Sequence, residues 1–96
     1  MMSNTVPVIA IYDIGKTNKK VFLFNEVYEV VYEKSATLPE TTDEDGYPCE
    51  NLALLTQWIR ESFAEITGLT EFNIVAINFT SYGASFVHID ESGKPL

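Results

Sequence analysis

The chain has 96 residues, 46% of them hydrophobic, and carries 14 acidic against 6 basic side chains for a formal charge of −8. That size suits one small globular domain, and the acidic balance argues against a nucleic-acid or anionic-membrane surface, which needs a basic stripe. A local phosphate site stays open, because backbone N–H groups and one or two cations bind phosphate without a basic surface. Cys49 is the single cysteine, so no internal disulfide can form. The start Met1-Met2-Ser3-Asn4-Thr5 lacks the charged and apolar regions of a signal peptide. No apolar run approaches the roughly 20 residues that span a bilayer, and the cytoplasm is the expected compartment.

Residues 8–12 are a short apolar, β-branched run stopped by Asp13 and Gly15, which predicts a strand. Residues 20–24 predict a second: Val21 and Leu23 face one way, Phe22 and Phe24 the other, and apolar residues on both faces mark an inner strand covered on both sides. Asn25-Glu26 reads as a tight turn, and residues 28–34 as a third strand whose polar alternation suits a sheet edge. Residues 35–50, rich in Thr, Asp, Glu, Gly and Pro, read as a loop. Within it Asp43-Glu44-Asp45-Gly46 lacks the ligand spacing and closing Glu of a calcium loop, so its acids read as a solvated surface. Leu52, Leu55, Ile59, Phe63 and Ile66 recur at spacings of three and four, giving a helix with one apolar stripe and Trp58 beside it. Asn51 or a nearby acid caps its start and Gly68 ends it. Residues 74–77 form a nearly all-apolar strand of the kind buried in a parallel pairing, and residues 86–90 a fifth, shorter strand. Asn78-Phe79-Thr80 matches a glycosylation acceptor, but within an apolar run of a chain without an export signal.

The order β-β-β-α-β-β predicts an α/β fold built on a mixed sheet. Three strands run up, down, up; the helix then returns the fourth parallel to the first by a right-handed crossover. If those two strands pair, their carboxyl ends, residues 13–15 and 80–83, lie side by side, and ligands of such sheets bind outside adjacent parallel carboxyl ends. Asp90-Glu91-Ser92-Gly93 reads as a turn, with Lys94-Pro95-Leu96 opening a return strand. A hairpin without its second arm leaves unpaired backbone groups, so the expectation is a truncated domain.

Gly15-Lys16-Thr17 invites a P-loop reading, which fails twice: Ala10 stands where the earlier Gly is required, and a strand follows where a helix is required. Two readings remain. Asp and Gly serve an ordinary hairpin turn through their backbone tolerance. Alternatively, Gly15 lets the backbone approach a polyphosphate while N–H groups and the Thr17 hydroxyl donate to its oxygens, and Lys20 with Lys16 offsets charge. Asp13, leaving the strand, would then hold a hydrated magnesium ion.

The pattern Asp13-x-Gly15-x-Thr17-x-x-Lys20, between two apolar strands, resembles the first phosphate motif of the actin-like ATPase superfamily. Within it the chain resembles the amino-terminal domain of FGGY-family carbohydrate kinases. Asn78-Phe79-Thr80-Ser81-Tyr82-Gly83-Ala84-Ser85-Phe86-Val87-His88-Ile89-Asp90, followed by Gly93-Lys94-Pro95-Leu96, is similar to that family's strand, sugar-facing loop and strand ending in Asp before a Gly-x-Pro-Leu turn. The likeness covers about residues 7–96. It implies a ribonuclease-H-like mixed sheet, ATP and Mg2+ as cofactors, and transfer of the γ-phosphoryl of ATP to a sugar hydroxyl. Asp13 maps to the metal–nucleotide position; Gly15, Lys16, Thr17, Asn18 and Lys20 map to the phosphate-binding stretch, with Lys16 replacing the usual hydroxyl residue.

Tyr82, Gly83, Ala84 and Ser85 map to the sugar-facing loop. Tyr-Gly-Ala-Ser-Phe is nearest to the aromatic-Gly-x-Asp-Phe pattern of rhamnulose and fuculose kinases, with Ser85 in place of Asp, so a ketose or deoxyketose is the implied substrate. The resemblance places the catalytic Asp base and the second domain beyond residue 96, and allows a homodimer of the full-length protein. His88, in a strand, reads as a structural residue. The alternative is a non-catalytic or regulatory sugar- or nucleotide-binding module of the same superfold. Residues 1–96 alone are expected to show no sugar-kinase turnover in a coupled ATP assay; robust, metal-dependent turnover by the purified fragment would contradict this.

Overall fold

A computed structural model of the chain describes residues 5–83 and 88–96. Strand β1 (Val6–Ile14) alternates buried and half-buried along its length. It turns through residues 15–18 into β2 (Lys19–Phe24), which pairs with it antiparallel from Ile9↔Phe24 to Ile14↔Lys19. A second tight turn leads to β3 (Val30–Ala36), antiparallel to β2 at the edge of the sheet. Two short strands, β4 (Thr41–Thr42) and β5 (Pro48–Cys49), make a separate hairpin. Helix α1 (Leu52–Thr67) then leads to β6 (Phe72–Ser81), which lies parallel to β1 on the side away from β2. The sheet order is β3-β2-β1-β6.

The ribonuclease-H-like expectation, with order β-β-β-α-β-β, is corrected by this architecture. The described residues form a small, mostly-strand domain with a four-stranded mixed sheet and one helix. Residues 41–49, expected as loop, form a hairpin because Asp43 Oδ1 accepts from the amides of Asp45 and Tyr47 at 2.9 Å each and closes its turn. The expected fifth strand is not formed over the described residues. Phe86 and Val87 lie outside them, and Ile89 makes one isolated bridge, to Pro95. The turn between them does form: Asp90 Oδ1 accepts from Ser92 N, Ser92 Oγ and Lys94 N, and these bonds hold its carboxyl below the usual range, the Lys94 amide contributing most.

Strand alternation decides what α1 covers. Val8, Ala10, Tyr12 and Ile14 of β1 and Val21 and Leu23 of β2 face the helix, and Trp58 and Ile66 pack down on them. Tyr12 is the centre of this layer. It is fully buried, edge-on to Trp58 at 5.6 Å between ring centroids and stacked on Phe79 of β6 at 5.1 Å. Its hydroxyl meets Ser62 Oγ at 2.8 Å, and Ser62 donates on to the Ile59 carbonyl at 3.2 Å. Burial pushes the Tyr12 phenol above its ordinary pKa. The buried stripe of α1 therefore runs through Trp58, Ser62 and Ile66, whereas Leu52 and Phe63, expected in it, lie at its margins with 37% exposure each. A serine is buried there because Tyr12 brings it a partner.

The opposite face of the sheet carries no helix among the described residues. There Ile9, Ile11, Phe24 and Tyr28 line an apolar hollow. β6 was expected to be buried, but Val75, Ile77 and Phe79 are 60%, 44% and 51% exposed. Its outer edge meets no strand among the described residues.

At the other edge Lys34 of β3 forms an ion pair with Glu65 of α1, and Tyr32 Oη donates to the same carboxylate at 3.2 Å. The Lys34 bond, first among the causes, holds the Glu65 carboxyl below its usual range. A lowered folded-state value means that this contribution is present above the ordinary glutamate range and is lost as pH falls through the Glu65 value. Urea unfolding should therefore show a stability gap between wild type and Glu65→Gln at neutral pH that closes below about pH 4; a pH-independent gap would contradict this.

Candidate functional site

The parallel pairing of β1 with β6 sets Asp13 opposite Thr80 and Ile14 opposite Ser81, so both carboxyl ends share one edge of the sheet. Tyr82 continues the pairing by donating its N–H to the Ile14 carbonyl at 3.2 Å. The turn at residues 15–18 sits at the same edge. Gly15 N donates to Asn18 O at 3.0 Å, and a Cβ on Gly15 would lie 2.6 Å from that oxygen, so the turn needs glycine there. Asn18 Oδ1 accepts from Thr37 Oγ1 at 3.0 Å, which ties the turn to the chain leaving β3.

The rest of the turn is open. Lys16, Thr17 and Asn18 are exposed, and among the described residues their amides donate to no backbone carbonyl. Backbone N–H groups left without carbonyl partners in a turn can donate to an anion. Asp13 and Lys20 are cross-strand partners and share the sheet face away from α1. Lys20 Nζ lies 3.8 Å from Glu33 and 6.0 Å from the Phe22 ring centroid, with 40% of its side chain exposed. An exposed pair at that distance holds its lysine weakly, so Lys20 is available to an anion at the turn.

Tyr82 is on the other face. Its hydroxyl donates 3.1 Å to Glu50 Oε1, which also receives Lys19 Nζ at 2.7 Å. Lys19 is 1% exposed and donates as well to the Lys16 carbonyl at 3.2 Å. The expected site residues thus divide, with Asp13 and Lys20 on the open face, the turn at the rim, and Tyr82 on the helix side. Among the described residues nothing lies within 4 Å of where a Cβ on Gly83 would sit. Ala84 and Ser85 lie outside the described residues.

Lys19 and Glu50 were not expected at the site. The signal for Lys19 is its period: it alternates with Val21 and Leu23, which puts it on the buried face, where an ammonium needs a partner. Glu50 directly precedes Asn51, whose Oδ1 caps α1 by accepting from Leu54 N at 3.1 Å, so the start of the helix brings the carboxylate to this edge.

Among the described residues no three His, Cys, Asp or Glu side chains group to hold a metal ion, and no helix is long and apolar enough to cross a membrane. No protein-family model matches the chain, and no curated protein matches it.

Gly15→Ala should break the Gly15–Asn18 contact and lower stability by about 1–3 kcal/mol, the range for an added methyl that its surroundings must yield to. Urea unfolding with amide exchange at residue 15 checks this. Unchanged protection there would show that the turn tolerates a side chain.

Proposed function

We propose that the chain is the phosphate-binding part of an ATP-dependent, FGGY-type carbohydrate kinase of the cytoplasm. The observation that carries the reading is the turn itself: the exposed amides of Lys16, Thr17 and Asn18 stand next to Asp13 and a loosely held Lys20, at the edge where two parallel strands end.

In this reading the Lys16–Asn18 amides and the Thr17 hydroxyl donate to phosphate oxygens, and Lys20 and Lys16 neutralise charge. Asp13 fits a magnesium ion that arrives with the nucleotide, because its carboxylate takes no hydrogen bond or ion pair among the described residues, and such an ion needs only one or two carboxylates beside water and phosphate. When bound, the ion offsets charge on the transferring phosphoryl group; positioning and charge stabilisation carry most of that reaction. The same reading assigns the sugar, a ketose or deoxyketose, to the stretch Tyr82, Gly83, Ala84 and Ser85. The Asp base belongs to another part of the protein, and a homodimer of the full-length protein fits the same reading. Lys16 and Ser85, the two departures from the kinase pattern, favour a second reading as a non-catalytic sugar- or nucleotide-binding module. The two separate on turnover.

Titrating the 96-residue chain with Mg·ATP and following amide NMR signals tests the shared part. Shifts should concentrate at residues 13–18, and Asp13→Ala should weaken binding in Mg2+ but not in its absence. Shifts confined to other regions, or none, would return the turn to an ordinary hairpin.

A further inference from the structure

We propose that Lys19 and Glu50 are positioning residues that aim the turn's central amide outward and couple the turn to the loop after β6. Three chain segments meet at one carboxylate oxygen. Glu50 Oε1 receives Lys19 Nζ at 2.7 Å and Tyr82 Oη at 3.1 Å, and the same ammonium donates to the Lys16 carbonyl at 3.2 Å. Lys19 is 1% exposed and Glu50 18% exposed in their side chains, so water replaces these contacts poorly.

The direction of the Lys16 carbonyl has a consequence for its neighbour. All described peptides are trans, and in a trans peptide the C=O and the following N–H point opposite ways. The carbonyl of Lys16 points in, to a buried ammonium; the N–H of Thr17, on the same plane, therefore points out. Lys19 fixes one of the three donors at the rim of the turn. Glu50 fixes Lys19, and Tyr82 shares the oxygen that does so. An anion that draws on the Thr17 amide rotates the Lys16–Thr17 peptide and is felt through Lys19 and Glu50 at Tyr82.

The device exists without ligand, but its use rests on the phosphate reading. Amide and aromatic NMR on the 96-residue chain separates the two. In the phosphate-free protein, Tyr82→Phe, which removes one hydroxyl, should shift the Lys16 and Thr17 amides, and Glu50→Gln should shift both those amides and the Tyr82 ring. With inorganic pyrophosphate as probe, the turn and the Tyr82 ring should titrate at one midpoint in the wild type. In Tyr82→Phe that midpoint should move by about 2- to 30-fold, the usual range for residues that modulate a distant site. Lys19→Arg, which keeps the charge, should retain more of the wild-type affinity than Lys19→Met. If Glu50→Gln does not fold, Tyr82→Phe decides. Thr17 and Lys16 amides unmoved by Tyr82→Phe in the phosphate-free protein would overturn the coupling. A wild-type turn unmoved by pyrophosphate would overturn the phosphate reading, while the phosphate-free comparison still decides the coupling.

Discussion

The parallel pairing of β1 with β6 is the constraint on which the rest of the structure depends. Among the described residues β1 has an antiparallel neighbour, β2, on one side and a parallel neighbour, β6, on the other. A parallel pair cannot be closed by a tight turn; it needs a crossover, and α1 supplies it. The crossover lays an apolar stripe over the alternate residues of β1 and β2 and so makes the core. It also brings two carboxyl ends together, and with them the Asp13 turn and the Tyr82 loop. Tyr12 joins these results physically: one ring touches α1 through Trp58 and Ser62 and touches β6 through Phe79.

Much of the fold was legible because it follows from periodicity. Val21 and Leu23 against Phe22 and Phe24 predict an inner strand covered on both faces; β2 is inner in the sheet, but among the described residues α1 covers only its Val21–Leu23 face. A cap from Asn51 or a nearby acid was legible, because such side chains accept from the first free amides of a helix, and Asn51 is the one that does so. The ribonuclease-H-like order, the fifth strand over residues 86–90 and the burial of β6 were expected and are not found over the described residues. Two further features were not legible. The β4–β5 hairpin is too short to show alternation, and the helix stripe was misjudged by one residue because Ser62, a polar residue, occupies a buried position. The turns show the limit of composition. Asn25, Asp43 and Asp90 each accept two backbone N–H bonds at the start of a turn whose fourth residue has φ near the left-handed region. Gly46 (φ 84°) and Gly93 (φ 86°) announce themselves; Tyr28 (φ 64°) does not, although it does the same geometric work at a higher steric cost.

The site was legible in part. Asp13, Gly15, Thr17 and Lys20 could be nominated because they lie within eight residues, and the facing loop because the β1–β6 pairing sets it at the same edge. Tyr82 was found as a loop residue, but its bond to Glu50 is tertiary, linking positions 32 apart. Lys19 was overlooked beside Lys20 since two adjacent lysines look alike in composition. The sheet separates them: one is buried and paired, the other exposed on the opposite face. Glu50 balances the buried lysine, and Lys16 and Lys20 remain at the surface.

The central claim is that the turn at residues 13–20 is a phosphate–metal site with the end of β6 beside it, and paramagnetic broadening by Mn2+ tests it most directly, with ATP present and Mn2+ in place of Mg2+. Broadening strongest at the amides of residues 13–18 and next at 80–82, and absent at Val6 and Phe72 where the same strand pair begins, is the result this account predicts. Broadening centred on the exposed acids Asp43, Glu44 and Asp45, with the turn untouched, would contradict it.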